Sequence, residues 1–283
     1  ALEQYLQTDM PPVPVGNWEE ILQPFAAQFS HETPVGPIPP HLLKRARAGY
    51  YGHMTHIDYQ LDRVFFTLKE YDQLDNTFIC FVSDHGEMMG DHTMFRKAYP
   101  YDGSARVPLI FAGPRGSSIL PNRSYDQVVE LRDLMPTLLD CAGLPIPDTV
   151  QGKSFLPIME GKPEAWREFL HGEHVVFGQS IQWLTNGKEK YVWWSASGRE
   201  QFFDLAADPH EKNDMTLTGM APERLTLWRQ RLVEQLRGRE EGFVKDGQLV
   251  TGRPVHPILA HLRAEAGMNE TDRSNWHNRG AVL

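Results

Sequence analysis

The apolar residues of this chain fall into helical, continuous and short-strand patterns, and each predicts its own kind of element. From His41 onward, Leu42, Leu43, Ala46, Tyr50, Met54, Ile57, Leu61, Val64, Phe65 and Leu68 recur at three- and four-residue steps. That spacing predicts a helix of about eight turns with one broad apolar stripe. Pro39-Pro40 stops it extending backwards, and 72–76 supplies the turn that follows. Thr77 to Val82 is then apolar or β-branched without interruption, as expected of a strand buried on both faces of a parallel sheet. Val107 to Ala112, closed by Gly113-Pro114, predicts a second buried strand. Residues 131–140 predict a helix with Pro136 in its first turn and a glycine C-cap near Gly143.

Beyond Gly161-Lys162-Pro163 the apolar runs shorten. Phe169 to Val176, Ile181 to Thr185, Tyr191 to Trp194 and Gln201 to Leu205 read as strands, with Asn186-Gly187 as a hairpin turn. A helix follows from Pro222 to about Arg237. Together these predict a small antiparallel sheet with a packed helix. The proline-rich residues 1–40 read as an extended surface segment, in which Asn17 caps a short helix starting at Trp18. Three parts result: 1–163, an α/β portion with a mainly parallel sheet flanked by helices; 164–238, the small α+β unit; and 239–283, a surface strap with a weak helix at 258–266.

Composition narrows the partners. The 283 residues are 41% hydrophobic and 23% charged, as in ordinary globular proteins. A net charge of −9 without a long basic run argues against nucleic acid and against an anionic membrane surface. No apolar run approaches the ~20 residues a bilayer span needs. Cys80 and Cys141 read as small core residues, with nothing to support a disulfide. The start, ALEQYLQTDMPP, has neither Met nor an export pattern and reads as a cut end, so localisation stays open.

Candidate chemistry gathers where the first predicted strand stops, at Ser83-Asp84-His85-Gly86. Ligands of open α/β sheets sit beyond the carboxyl ends of strands. Asp84 and His85 offer a carboxylate and an imidazole to one cation, and Gly86 lets the backbone turn away. Lys97, thirteen residues after Asp84, brings a flexible ammonium suited to an anionic substrate. The bland alternative is a turn-capping aspartate and a surface lysine. His53 and His56 share a helix face and read as solvated; Asp58 reads as a helix-surface or supporting residue. His171 and Glu173 fall on one face of the third strand as candidate lining of a substrate subsite, or as a rim of the small unit.

SDHGEMMGDH at 83–92, then Lys97, then YDGSARVPLI at 101–110, resembles the second half of a sulfatase, in the alkaline phosphatase superfamily. PTLLDCAGL at 136–144, GKSFLP at 152–157 and FDLAADPHEKN at 203–213 extend the likeness. The resemblance implies the C-terminal part of an alkaline-phosphatase-like α/β fold and hydrolysis of a small sulfate ester. Asp84 and His85 would be metal ligands for one divalent cation, Ca²⁺ first with Mg²⁺ or Mn²⁺ as alternatives. Lys97 would contact the sulfate and stabilise the leaving oxygen. Asp-His, where many sulfatases have Asp-Asn, keeps phosphonate or phosphate ester hydrolysis as the alternative, with a non-catalytic remnant or binding module as a third. The family nucleophile is a formylglycine made within Cys-x-Pro-Ser-Arg. Neither Cys80 nor Cys141 has that context, so the formylglycine is expected upstream, on a missing N-terminal half. The chain alone is expected to be inactive, and to associate with that half or with itself.

Overall fold

The structure, a computed structural model, describes residues 1–18, 36–162, 165–176 and 179–253. Helix α1 (Leu2–Gln7) lies against helix α2 (Pro40–Glu70), with the Tyr5 hydroxyl 2.9 Å from Thr55 Oγ1. The proline-rich start gave no sign of α1. The length of α2 follows the apolar stripe, but the described residues leave much of that stripe exposed. Its buried residues are Ala48 and Gly52, whereas Met54 is 50% and Val64 52% exposed.

Strand β1 (Ile79–Val82) pairs with β2 (Leu109–Ala112), Cys80 opposite Phe111. This corrects the expectation of a strand enclosed in a parallel sheet. The pair is antiparallel and, among the described residues, forms a sheet of two strands. One face is covered: Leu109 and Phe111 pack on Phe155, Ile158 and Met159. The other is open, with Phe81 39% and Ile110 63% exposed. Helix α3 is a single turn, Asp102–Ala105, just before β2; α4 (Leu134–Cys141) and the turn α5 (Leu156–Met159) complete this side. Gly143, at φ 67, lets the chain leave α4 with Leu144 N–H bonded back to Leu139 O.

The C-terminal sheet is continuous and antiparallel. Strands β3 (Leu170–Val176), β4 (Gln179–Thr185), β5 (Glu189–Trp194) and β6 (Glu200–Asp204) lie in sequence order. Alternation sends Tyr191, Trp193 and Phe202 to one face, against Trp228, Leu232 and Leu236 of α6 (Pro222–Leu236). It sends Ile181, Val192, Trp194 and Phe203 to the other, against Met88, Met94, Tyr99 and Tyr101. The loop between β1 and α3 is therefore a lid on this sheet. A short hairpin, β7 (Val244–Lys245) and β8 (Gln248–Leu249), follows. Asn17 Oδ1 accepts the Asp214 N–H at 2.9 Å. The expected helix after Trp18 and that at 258–266 lie outside the described residues.

Candidate active site

The end of β1 makes the site. Past Val82, Ser83 Oγ donates to His85 O at 2.7 Å, and Asp84 Oδ1 accepts the His85 N–H at 3.0 Å. Gly86 keeps an ordinary negative φ. Its glycine is demanded by space instead: a Cβ there would fall 2.2 Å from Gly103 O. Gly86 N–H bonds Ser104 O at 2.8 Å, joining the end of β1 to α3.

The same glycine orients His85. His85 Nδ1 lies 2.8 Å from Gly86 O, and a carbonyl only accepts, so Nδ1 carries the proton. In the neutral ring Nε2 then presents its lone pair. Lys97 Nζ sits 2.6 Å from that atom, and Asp84 Oδ2 3.5 Å from it. An ammonium has no lone pair, so Lys97 donates. Asp84, His85 and Lys97 thus converge on one point, with the Asp84 side chain 84% exposed to the cleft.

Lys97 is held by a strained loop. Arg96 and Ala98 on either side of it have φ of 65 and 84, as have Met89, His92 and Thr93 at 54, 51 and 64. Such left-handed non-glycine residues each cost on the order of 1 kcal/mol or more and persist where their surroundings impose them. Glu87 ties down two of them, Met89 and Arg96. Its Oε1 accepts the N–H groups of Met89 at 3.2 Å and Arg96 at 2.5 Å, closing the loop upon itself. Met88 N–H to Arg96 O and Gly90 N–H to Met94 O add two more closures.

Asp84, His85 and Lys97 open into a wide cleft of about 2070 Å³. His171 and Glu173 line the same cleft from β3, and so does His174. His171 Nε2 is 2.7 Å from Gln182 Oε1, and Gln182 Nε2 donates to Glu173 at 3.2 Å. Burial holds His171 below the ordinary histidine range, the Gln182 bond opposing it. Seven Lys/Arg and five Asp/Glu line the cleft, and Lys190 and Arg115 are paired with Glu211 and Asp75 just outside it, so the wall carries no net positive balance.

A carboxylate oxygen and an imidazole lone pair facing one point suit part of a divalent cation's shell. Among the described residues no group of three or more His, Cys, Asp or Glu converges, so Asp84 and His85 could supply at most one corner of such a shell. His53 and His56 stay exposed on α2, their rings 6.4 Å apart, away from this corner's residues. Two contributors escaped the sequence reading. Glu87 gave no signal beyond its motif. Lys190 gave one: it alternates with Val192 and Trp194, placing a lysine on an inward face.

Asp84, His85 and Lys97 therefore stand on one side of a cleft, in a mixed α/β fold of the alkaline-phosphatase-like class. The Sulfatase family profile matches residues 14–144, and that of the N-sulphoglucosamine sulphohydrolase C-terminal domain matches 90–238. The chain belongs to the sulfatase family. It is 41% identical over 264 residues to an arylsulfatase of Clostridium perfringens, covering 92% of this chain and 54% of that protein. It is 34% identical over 184 residues to arylsulfatase K of Canis lupus familiaris, covering 60% of this chain and 33% of that one. Among solved structures it resembles the phosphonate monoester hydrolase of Agrobacterium radiobacter, with a TM-score of 0.67 and 27% identity over 80% of this chain and 51% of that one. The chain therefore spans about a third to half of the length of these relatives, and it matches their C-terminal portion.

Proposed function

We propose that this chain forms one wall of the active site of a sulfuric ester hydrolase acting on a small sulfate ester. The reading rests on one observation, the convergence of Asp84, His85 and Lys97 at the end of β1. Asp84 and His85 hold a divalent cation, Ca²⁺ in the first instance and Mg²⁺ or Mn²⁺ otherwise. When bound, the cation offsets negative charge on the group being transferred. Lys97 binds the sulfate and donates toward the bridging oxygen as its bond to sulfur breaks. The strained loop keeps that ammonium from collapsing into bulk water. His171 and Glu173, on the far wall, contact the remainder of the substrate. The nucleophile, a formylglycine, comes from outside these 283 residues, which alone do not turn over substrate.

A second reading has its own support. The Asp-His pair and the likeness to a phosphonate monoester hydrolase favour a phosphonate or phosphate diester in the same cleft. A binding module without catalysis is the third. One experiment separates them: the chain alone, and the chain extended by the polypeptide encoded directly upstream, assayed with aryl sulfate and phenylphosphonate esters. Only the longer protein turns over, aryl sulfate faster. Lys97→Ala in it lowers kcat by roughly 10²-fold or more with its melting temperature unchanged. Turnover by the pure 283-residue chain, or a Lys97→Ala protein as fast as its parent, overturns the assignment.

A further inference from the structure

We propose that Lys190, on the four-stranded sheet, is a positioning residue that fixes which imidazole nitrogen of His85 faces the cleft. Lys190 is 1% exposed, on the face of β5 that also carries Val192 and Trp194. Its ammonium contacts Asp102 Oδ1 at 2.5 Å and Glu211 Oε1 at 2.6 Å. The other oxygen of Glu211 accepts the Asp102 N–H at 2.7 Å. Asp102 is therefore gripped by its side chain and its backbone at once, in a closed ring of three groups. Burial alone would lower Lys190, but Glu211 and Asp102 outweigh it and hold the ammonium above the usual lysine range. Without Lys190 the two carboxylates would face one another, with the exposed Arg106, 3.5 Å from Asp102 Oδ2, as the cation left beside them.

The ring reaches His85 through three short links. Asp102 opens α3, whose Gly103 O abuts Gly86 and whose Ser104 O accepts the Gly86 N–H at 2.8 Å. Ser104 Oγ is itself fixed by the Tyr99 N–H at 3.2 Å. Gly86 is thus held at its N–H by Ser104 and at its Cα by Gly103, and its carbonyl, on the next peptide plane, accepts the His85 Nδ1–H at 2.8 Å. Loosening α3 withdraws that acceptor. The ring is then free to carry its proton on Nε2, where Lys97 or a cation needs a lone pair. A hydrogen bond at one imidazole nitrogen sets what the other can ligate. The sheet, packed on both faces, is the rigid reference against which this is set.

This inference rests on the proposed hydrolase only for the use made of that lone pair. The test needs neither cation nor substrate, so the two readings fail separately. Long-range ¹H–¹⁵N correlation spectra of the 283-residue chain, at about pH 8 and above the ordinary histidine range, report each ring's tautomer. His85→Gln assigns the signal. The parent shows His85 as the single Nδ1–H form. Lys190→Met loses that single form to a mixture, and Lys190→Arg retains it. Leu232→Ala, on the opposite face of the sheet, lowers the melting temperature and leaves the tautomer alone. If Lys190→Met does not fold, Asp102→Asn decides, since it keeps the shape and removes the charge. A folded Lys190→Met or Asp102→Asn with the parent pattern overturns the proposal. So does a Leu232→Ala protein whose His85 changes as much.

Discussion

The four-stranded sheet and the two-stranded sheet of this protein differ in what covers them. β3 to β6 have α6 on one face and the loop 88–101 on the other, and Ile181, Leu184, Tyr191, Val192, Phe202 and Phe203 are fully buried. β1 and β2 have one covered face, an open one and, among the described residues, no third strand. A pair of strands is marginal without further packing. The site sits at the seam: its Asp84-His85 end belongs to the open sheet, while the loop that carries Lys97 is held down by the closed one. Chemistry of this kind depends on placement to a fraction of an ångström, and the closed sheet supplies it.

The largest effect that breaks this contrast is a core truncation. Trp228 is completely buried, edge-on to Phe169, and its Nε1 donates to Glu189 Oε2 at 2.7 Å. Trp228→Ala leaves a cavity and takes the donor from Glu189 Oε2, whose other oxygen keeps Arg224, costing about 3–5 kcal/mol. Ile110→Ala, on the open face, changes stability by less than about 0.5 kcal/mol. Urea unfolding of both variants measures the difference. A large loss for Ile110→Ala would mean that something covers β2 in solution.

How much of this was legible follows the same division. The strands of the closed sheet and its hairpin at Asn186-Gly187 were readable because alternation and turn chemistry are local. The pairing of β1 was not. An uninterrupted run such as Thr77 to Val82 records expected burial, not which strand lies beside it. The stripe on α2 announced the helix correctly and said nothing of whether a partner was present. Asp84, His85 and Lys97 stood out by residue type at a strand end. What holds them did not, because Glu87, Asp102, Lys190 and Glu211 meet only through tertiary contacts 9 to 109 residues apart. Gly86 was read as a turn residue, and its actual reason, the approach of Gly103 O, lies in three dimensions.

An intermediate effect concerns the lid over the closed sheet. Burial raises Asp91 to about 6, with Arg47 and His210 pulling the other way. Burial lowers the adjacent His92 to about 4, against help from the His210 backbone and Asp208; His210 and Lys190 push it further down. His92 lies between Trp18 and Tyr101, ring centroids 4.5 and 5.7 Å away, and its Nδ1 has no partner. The signs oppose. A depressed His92 contributes stability that is whole above pH 6.5 and is lost as pH falls toward 4. A raised Asp91 contributes stability that is whole below pH 3.8 and is lost as pH rises toward 6. Between about pH 4 and 6 the native pair and the unfolded pair bind the same number of protons, one on Asp91 or one on His92, so this pair adds almost no slope. Asp91→Asn removes one side of the balance. Its stability then falls, relative to the parent, by on the order of 1 kcal/mol per pH unit below pH 6. Melting temperatures of both proteins across that range measure it, and parallel curves would show that the two groups do not titrate as a pair.

The smallest effect on stability belongs to α2, and there the informative readout is association. Tyr50, Met54, Ile57 and Val64 are all exposed on one helix. Contiguous apolar surface of this kind seeks cover. In a solution of the 283-residue chain alone, the expected cover is a second copy. Replacing Met54, Ile57 and Val64, each about half exposed, by Gln, Lys and Glu removes little packing, so stability at low concentration falls by no more than about 1 kcal/mol. Sedimentation velocity at rising concentration then separates the proteins: the parent shifts toward larger species and the triple variant stays monomeric. If the variant associates as strongly as the parent, the open face of β1 and β2 is the contact. Phe81→Ser with Ile110→Thr should then abolish it, moving the exposed seam from the helix to the sheet that bears the site.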